Sequence, residues 1–435
     1  MFDFLPGKGY NIAIRLHCLR IEVDRMAYFI IDNPISAENN IARMREDARY
    51  EIADDTHPEE ECPLDMEKIG AIRSPKALPK VPKMFLSNNC IFNCAYCNCR
   101  TGNDENRRYC NNPRELARMA VDQSVRNRHG VFITSAIHKN PDYTEELIIE
   151  TMKVMRNELG YNGYIHAKVM PGTDPLLIRQ AGLYADRLSV NIEVARSEGY
   201  KKLARQKTKE NILTPMQQIS DLIKAAKTEK GGTRRKFAVS QTTQLMAGST
   251  GEDDRTIMIL AKALYRKYGL KRVYYTPFQY RHEAKGYDLP FTTTPAWRVR
   301  RLYQADRLQQ LYGFAPDEIT PEQEPNLAAD MDPKAAWALR NLHLFPVEVN
   351  KADFEMLIRV PGIGITYARR IIQARTYCNI THDILKKIGI PLKKSGCFIT
   401  CQGRYIGEGA FNEISMRLLL SDTNDARFSL LLQNG

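Results

Sequence analysis

Short apolar runs alternate with helical patterns along the chain from residue 84 onward. Six runs have the length and side-chain content of buried parallel strands, and they lie at residues 84–87, 130–136, 164–170, 187–194, 236–246 and 272–278. Amphipathic stretches separate them, for example at residues 113–127, 144–159 and 253–269. Because strands that alternate with helices form parallel sheets, the pattern predicts an α/β fold with a partial or full parallel β/α barrel.

The rest of the chain does not show this repeat, and its composition suggests where the other domains and linkers begin and end. Residues 1–79 form a poorly defined N-terminal extension, and residues 80–315 contain the barrel. An acidic, proline-containing linker and a helix follow at residues 316–344. A compact unit is expected at residues 345–410, and a tail at residues 411–435.

Composition narrows the class of protein. The 435 residues are 43% hydrophobic and 26% charged, which is ordinary for a globular protein. No apolar run approaches the roughly 18–20 residues that span a bilayer, so we expect no membrane segment and a cytoplasmic protein. The formal net charge of +12 favours a polyanionic partner. Five of the ten cysteines lie between Cys90 and Cys110, a clustering that favours ligands or free thiols over a disulfide scaffold.

Three of these cysteines have the most informative spacing in the chain. Cys90, Cys94 and Cys97 form a C-x3-C-x2-C loop directly after the first predicted strand. Three thiolates at this spacing can hold one inorganic cluster and leave a fourth metal corner open. A structural zinc site is the alternative, with Cys397 and Cys401, or Cys99 and Cys110, as a second pair of ligands. In a parallel barrel, chemistry lies at the carboxyl ends of the strands, where this loop is expected.

The loop resembles the signature of the radical S-adenosylmethionine (SAM) superfamily, in which an aromatic residue, here Tyr96, precedes the third cysteine. The resemblance implies a TIM-like barrel, a 4Fe–4S cluster on the three cysteines, and SAM bound at the fourth iron. It also implies reductive cleavage of SAM to a 5′-deoxyadenosyl radical that abstracts a hydrogen atom from the substrate. Tyr96 would then lie beside the adenine. An electron donor such as flavodoxin or ferredoxin would be a partner.

Further cofactor-binding candidates lie at the ends of the predicted strands. The family's Gly-Gly-Glu-like turn corresponds to Ser135 and Ala136, although the acidic member is absent. Asn191 and Glu193 share one strand face and are candidates for the ribose or amino acid end of SAM, unless they only make the barrel interior polar. The weaker candidates are Gln241, Thr243 and Gln244 on strand five. His138 and His166 lie at strand ends, where a catalytic role is the alternative to the favoured structural one. Cys99 and Cys110 are expected to be free thiols rather than ligands of an auxiliary cluster with Cys397 and Cys401.

A second motif lies in residues 350–375, where Asn350 is a candidate N-cap and Pro361–Gly364 a tight turn between two helices. It resembles the helix-hairpin-helix DNA-binding motif, and a degenerate second copy follows at residues 383–400. The resemblance implies a small all-α domain that grips the phosphate backbone through Gly362, Ile363 and Gly364, with Arg369 and Arg370 adding charge. Protein docking or simple packing is the alternative.

Together, the two motifs resemble those of the bacterial putative DNA modification/repair radical SAM proteins over roughly residues 80–410. The resemblance implies an enzyme that modifies or repairs DNA or another nucleic acid. Two alternatives stay open: a radical enzyme for a protein or small molecule with the hairpin as a docking unit, and a non-catalytic DNA-binding protein stabilised by zinc or a cluster. The basic run at residues 201–209 is either a solvated helix face or a rim that guides a phosphate backbone.

Overall fold

The computed structural model describes residues 43–44, 81–104, 106–127, 129–229, 237–279, 293–408 and 410–421. Apart from residues 43–44, the predicted N-terminal extension (1–79) lies outside this part, as does the end of the predicted tail. The described residues from Arg43 onward belong to one compact unit. In this part of the chain, no helix is long and apolar enough to cross a membrane.

Six parallel strands form a half-barrel, in which the strands neighbour one another in chain order. They are β1 (Lys83–Phe85), β2 (Val131–Thr134), β3 (Ile165–Lys168), β4 (Arg187–Ser189), β5 (Ser240–Ala247) and β6 (Arg272–Pro277). Four of the predicted apolar runs contain one of these strands, and the runs at residues 84–87 and 236–246 each overlap one. The prediction of a partial or full parallel barrel is confirmed in its partial form, because β1 and β6 are the two edges of the described sheet.

Helices connect these strands and cover one face of the sheet. They are α1 (Pro113–Asn127), α2 (Pro141–Lys153), α3 (Pro175–Tyr184), α4 (Glu198–Leu203), α5 (Lys209–Thr228), α6 (Asp254–Tyr268) and α7 (Ala296–Tyr312). A π-helix, Val154–Glu158, extends α2. Polar side chains fix several starting points, since Asn140, Thr208 and Asp253 each accept a hydrogen bond from a first-turn backbone N–H.

The two faces of the sheet differ in polarity. Ile133, Leu188 and Leu245 belong to the apolar core, which lies between the sheet and the helices. The opposite face carries polar side chains such as Lys168 and Gln244, which line a cavity inside the half-barrel. Because side chains alternate along a strand, each strand contributes to both regions.

The C-terminal region combines short helices with a small sheet. Its helices are α8 (Pro316–Ile319), α9 (Pro333–Arg340), α10 (Phe354–Arg359), α11 (Ile365–Arg375), α12 (His382–Ile388), α13 (Leu392–Ser395) and α14 (Glu413–Leu420). The strands β7 (Val347–Glu348), β8 (Ile399–Cys401) and β9 (Arg404–Tyr405) form a three-stranded sheet, and two 3-10 turns cover Leu342–Leu344 and Gly396–Phe398. The prediction of an all-α C-terminal unit is therefore wrong.

The predicted linker at residues 316–344 packs closely against its surroundings. Glu318 forms a 2.7 Å ion pair with Arg359 of α10, and Trp337 of α9 contacts the rings of Phe314 and Phe345 edge-on. Buried Lys334 donates a 2.6 Å hydrogen bond to the carbonyl oxygen of Ile363. These contacts connect the half-barrel side of the molecule to the turn between α10 and α11.

The predicted N-cap of the first hairpin helix is also wrong. Asp353, and not Asn350, caps α10 by accepting a hydrogen bond from the backbone N–H of Met356. Asn350 instead pairs with the backbone of Ile380, to which it donates at 3.1 Å and from which it accepts at 2.7 Å. Its amide group therefore joins two segments that are 30 residues apart.

Candidate functional site

The three motif cysteines line one cavity, which we call the cysteine cavity, at the carboxyl end of the half-barrel. Its walls also include Phe85, Tyr96, Cys99, Ser135, Ala136, Lys168, Asn191, Glu193, Lys207 and Gln244. The loop that carries the cysteines follows β1, as the sequence predicts. All six strands of the half-barrel contribute to the cavity, either directly or through the residues that follow them.

Backbone interactions hold the cysteine loop in place. The Arg108 guanidinium donates hydrogen bonds to the carbonyl oxygens of Asn88 and Cys99, both at 2.8 Å, and to that of Asn103 at 3.0 Å. The backbone N–H of Ala95 donates to the carbonyl of Leu203 at the end of α4. Because a guanidinium offers five donors in a rigid fork, one arginine satisfies several carbonyls of an otherwise irregular loop.

The three motif thiols differ in their surroundings, and their pKa values therefore shift in different directions. Burial raises the pKa of Cys94 to about 12 and also raises the pKa of Cys90. In contrast, a hydrogen bond with Cys99 lowers the pKa of Cys97 to about 7. Buried thiols with a raised pKa stay protonated at neutral pH unless a metal binds them, because a coordinating thiol loses its proton.

The donor set fits an iron–sulfur cluster. Among the described residues, no three His, Cys, Asp or Glu side chains converge closely enough to hold a single metal ion. The three cysteines nevertheless share one cavity, and soft thiolates are the ligands that iron–sulfur clusters prefer. Cys90, Cys94 and Cys97 are therefore the residues that would hold the cluster.

Lys207 extends into the cavity and is a site residue that the sequence interpretation missed. Its Nζ lies 2.9 Å from Glu193 Oε1 and donates to the Tyr96 hydroxyl at 3.0 Å. The side chains of Lys207 and Glu193 are only 10% and 6% exposed. Although burial alone would lower it, the Glu193 carboxylate raises the pKa of Lys207. The cavity thus contains a buried, charged pair beside the cysteines.

Most of the predicted cofactor-binding residues come together at this cavity. Tyr96, Ser135, Ala136, Asn191 and Glu193 all line it, and so does Gln244. The Ser135 hydroxyl donates to the carbonyl of Ala136, which fixes the turn after β2. The structure therefore brings these predicted residues together at the cavity that contains the three motif cysteines.

Two predicted cofactor-binding residues lie elsewhere. Gln241 donates to the carbonyls of Met216 and Tyr268 on α5 and α6, so it faces the helices. The Thr243 hydroxyl donates to the carbonyl of Val190 and accepts from Ile192 N–H. Both are excluded from the cavity wall because alternate residues of β5 point away from it. Their assignment as cofactor ligands is corrected to structural contacts.

The remaining histidine and cysteine candidates do not line the cavity, with the exception of Cys99. The ring of His166 stacks on that of Phe132 at 4.3 Å, and His138 packs near Tyr143. Cys110 is exposed, whereas Cys397 and Cys401 are buried in the C-terminal region. The eight cysteines in the described part of the chain are all free thiols.

The predicted hairpin contains a tight turn between α10 and α11. Gly362 has a left-handed backbone (φ +83°), and a Cβ there would approach Pro391 and Ser395 to 3.3 Å. Ile363 is buried, so it offers only its backbone, whereas Arg369 and Arg370 are exposed. Gly364 is the N-cap of α11, and no side chain caps this helix.

Comparison with known proteins gives one family match and several distant structural likenesses. The model of the radical SAM superfamily matches residues 84–264. The FeFe-hydrogenase maturase HydG from Carboxydothermus hydrogenoformans is 17% identical with a TM-score of 0.40, covering 53% of this chain and 51% of that chain. For methylornithine synthase (PylB), the identity is 15%, the TM-score 0.38 and the coverage 52% and 62%.

No curated protein sequence gives a match. The chain spans about half the length of the HydG chain that it matches. The family match, by contrast, covers the cysteine loop and strands β2 to β5, which build the cavity. The matched residues 84–264 form a radical SAM domain, and members of this superfamily use a 4Fe–4S cluster and SAM.

Proposed function

We propose that this protein is a radical SAM enzyme that acts on DNA, which its C-terminal hairpin holds, and that it modifies or repairs a nucleotide. The observation that carries the proposal is the uncapped start of α11, which directly follows a glycine-rich turn and belongs to a helix with the exposed Arg369 and Arg370. This hairpin belongs to the same compact unit as the radical SAM domain.

The cavity residues have distinct roles in this proposal. When bound, the cluster and SAM would supply a 5′-deoxyadenosyl radical that abstracts a hydrogen atom from the substrate. Cys90, Cys94 and Cys97 would hold the cluster. The buried Lys207–Glu193 pair offers one charge of each sign, which suits the carboxylate and amino groups of the methionine part of SAM. The walls around this pair exclude water from the reacting atoms.

The start of α11 suits a phosphate group. The first backbone N–H groups of a helix have no partner within the helix, and the helix dipole adds partial positive charge there. Gly364 has no side chain to cover these N–H groups, and the Tyr312 hydroxyl lies 3.1 Å from where its Cβ would stand. Arg369 and Arg370 lie exposed on the same helix and add positive charge.

The charge of the surrounding region agrees with a phosphate partner. Residues 351–407 contain ten Lys or Arg and three Asp or Glu, a net charge of seven positive. Contacts from a helix start to phosphates position a duplex without reading its sequence. A base in a duplex would have to be flipped out or unpaired to reach the cavity, as in other enzymes that act on bases.

The proposal is tested by binding of duplex DNA, measured by fluorescence anisotropy over a series of salt concentrations. The Arg369→Gln/Arg370→Gln variant should bind more weakly, and its slope of log affinity against log salt should fall by about 2, because each lost phosphate contact removes roughly 0.9. Lys262→Gln/Arg266→Gln removes two exposed charges from α6 and is the matched control, with the wild-type slope expected.

Two results would overturn the proposal. One is a wild-type protein that does not bind duplex or single-stranded DNA even at low salt. The other is a hairpin variant that binds with the same salt dependence as the wild type. Either result would favour the hairpin as a docking unit for a protein.

A reducing partner is also part of the proposal, since SAM cleavage consumes one electron. A flavodoxin or ferredoxin would supply it. The test is whether the reconstituted enzyme cleaves SAM with such a reduced protein as its only reductant, and a requirement for a chemical reductant would argue against this class of partner.

A further inference from the structure

The cysteine loop has one side in the cavity and one side in solvent. Cys90, Phe92 and Cys94 line the cysteine cavity. Ile91 lies between Cys90 and Phe92 in the chain, but it is not part of this wall and is 45% exposed. A cluster held by Cys90 would therefore lie one residue along the chain from an exposed apolar side chain.

Two exposed lysines lie beside this loop. The backbone N–H of Ala95 donates a 2.8 Å hydrogen bond to the carbonyl oxygen of Leu203, the last residue of α4. Lys201 and Lys202 lie in the last turn of the same helix and are exposed. Glu198 is the only acidic residue of α4, so the end of this helix that contacts the loop keeps a positive charge.

A third exposed lysine lies on another segment that contacts the loop. The backbone N–H of Ile91 donates a 2.9 Å hydrogen bond to the carbonyl oxygen of Ile137. Lys139 follows two residues later and is exposed. The exposed residues on and beside the cysteine loop, which we call the loop surface, are Ile91, Lys139, Lys201 and Lys202.

The loop surface has the composition of a small protein-binding site. Binding of a phosphate backbone depends on cations and gains little from an isoleucine, whereas protein interfaces combine an apolar centre with a polar rim. Transient electron-transfer complexes bury less than about 1,200 Å² in total, so a few side chains supply much of their contact. The three cations of the loop surface indicate a partner with negative charge.

The position of the loop surface indicates what this partner would do. An electron passes between two proteins only where their redox centres come close, and the loop surface adjoins Cys90, a proposed ligand of the cluster. We propose that the loop surface docks an acidic one-electron carrier protein, which reduces the cluster. The carrier loses one electron and the cluster gains it, and no bond is formed or broken. The inference rests on the reducing partner of the proposed function and adds where that partner binds.

The test uses the full chain with its reconstituted cluster and a bacterial flavodoxin as the carrier. Calorimetry gives the affinity for flavodoxin. Lys201→Gln/Lys202→Gln should weaken binding by about tenfold at low salt, because charge complementarity between the two proteins is reduced. The difference should shrink as the salt approaches 1 M, where screening acts over about 3 Å. Lys262→Gln/Arg266→Gln, on α6, is the matched control and should bind flavodoxin as the wild type does.

The apolar contact is tested with a second pair of variants. Ile91 and Ile259, on α6, are both 45% exposed. Ile91→Ser should weaken flavodoxin binding by about fivefold, and this loss should persist at high salt, because it removes an apolar contact and not a charge. Ile259→Ser should bind as the wild type does. Unchanged iron and sulfide content in Ile91→Ser separates lost docking from a lost cluster.

The rate of SAM cleavage provides the second readout. With flavodoxin as the only reductant, the Lys201/Lys202 and Ile91 variants should cleave SAM more slowly than the wild type. With dithionite, which needs no docking site, both should cleave it at the wild-type rate.

Three results would overturn the inference. The first is a wild type that does not bind flavodoxin, and the second is flavodoxin binding that neither variant weakens. The third is a Lys201→Gln/Lys202→Gln variant that binds DNA more weakly but flavodoxin normally, because the lysines would then guide a phosphate backbone. Failure of the wild type to cleave SAM even with dithionite would instead refute the proposed function, and the inference with it.

Discussion

Lys207 is a cavity residue whose position the sequence pattern does not reveal. It belongs to the basic run at residues 201–209, whose expected roles are a solvated helix face or a rim. In the structure, Lys201 and Lys202 are exposed on α4, but Lys207 lies in the connection directly before Thr208, the N-cap of α5. Outside a helix, its direction follows the path of the loop and not the helical period. The N-cap at Thr208 is the signal that could have separated Lys207 from the exposed lysines.

The first prediction concerns this buried pair. Lys207→Met should destabilise the protein by roughly 3–5 kcal/mol, because it leaves the Glu193 carboxylate buried without its cation. Lys207→Met/Glu193→Gln should recover part of that loss. Denaturant unfolding of the single and double variants gives the coupling energy between the two residues. Simple additivity of the two single losses would contradict the assigned pair.

An exposed ion pair provides the matched control. Arg126 and Asp122 lie four residues apart on α1, with side chains 69% and 49% exposed. Arg126→Met should therefore cost less than about 1 kcal/mol in the same unfolding experiment, since solvent screens such pairs. If Arg126→Met lost as much unfolding free energy as Lys207→Met, burial would not determine the cost of breaking an ion pair in this protein.

Strand β5 shows a second limit at the residue scale. A polar strand with period-two alternation presents two sets of side chains, and the sequence does not say which set faces the cavity. Gln241, Thr243 and Gln244 are the predicted candidates on this strand, but of these only Gln244 belongs to the inner set, together with Thr242 and Met246. Leu188 of β4 and Val190 just after it are apolar and identify the outer face, so the sequence could predict that Asn191 and Glu193 share the opposite side, where both line the cavity.

At the scale of elements, the small C-terminal sheet depends on one carboxylate. Glu348 of β7 accepts a hydrogen bond from the backbone N–H of Asn350 at 3.0 Å. It accepts another, at 2.8 Å, from the backbone N–H of Gly403, which lies in the turn between β8 and β9. Strands of two or three residues give too short a pattern for recognition from sequence. The sheet was missed for this reason, and the region was predicted to be all-α.

The second prediction uses the pH dependence of this contact. Burial opposes ionisation of Glu348, but these backbone hydrogen bonds outweigh it and lower its pKa from 4.5 to about 2. A lowered pKa means that the ionised group stabilises the fold above pH 4.5 and that this contribution is lost as the pH falls toward 2. Glu348→Gln should cost roughly 1–2 kcal/mol at pH 7 and progressively less below pH 4.5. Unfolding curves at both ends of this range provide the measurement, and a constant difference would contradict the assignment.

The third prediction concerns two glycines in the hairpin region. Gly362 and Gly389 both have a left-handed backbone, with φ values of +83° and +85°. Gly389→Ala should cost about 1–2 kcal/mol, because a Cβ at Gly389 has no neighbour within 4 Å and only the backbone strain remains. Gly362→Ala should cost more, since its Cβ would also press against Pro391 and Ser395. Thermal unfolding of the two variants compares these costs, and equal losses would show that the turn is not packed as described.

At the scale of the whole molecule, the sequence predicts the half-barrel well. Six apolar runs separated by helical stretches identify the parallel sheet, since local pattern and tertiary arrangement agree there. The sequence does not decide between a partial and a full barrel, because closure depends on pairing between the first and last strands. The sequence also does not predict how the C-terminal region packs, because its contacts join residues far apart in the chain. Lys334 donates to the carbonyl of Ile363, and Arg417 pairs with Asp330, which is 87 residues away.

The fourth prediction concerns the loading of the cysteine cavity. Cys94→Ala should lose most of its iron and sulfide after anaerobic reconstitution, because one of three thiolates is missing. Cys378→Ala, which changes an exposed thiol in the C-terminal region, should retain the wild-type content. Chemical analysis of iron and sulfide gives the answer. A Cys94 variant with full content, or one zinc ion per wild-type chain, would contradict the assigned ligands.

The central claim is that radical chemistry at the cysteine cavity acts on DNA. The most direct test incubates the reduced, reconstituted enzyme with SAM and deuterated DNA, and then measures the mass of the 5′-deoxyadenosine that forms. We expect 5′-deoxyadenosine that carries deuterium from the DNA, and none from Cys94→Ala. If the wild type forms no 5′-deoxyadenosine, or forms it without deuterium from either duplex or single-stranded DNA, the claim is contradicted.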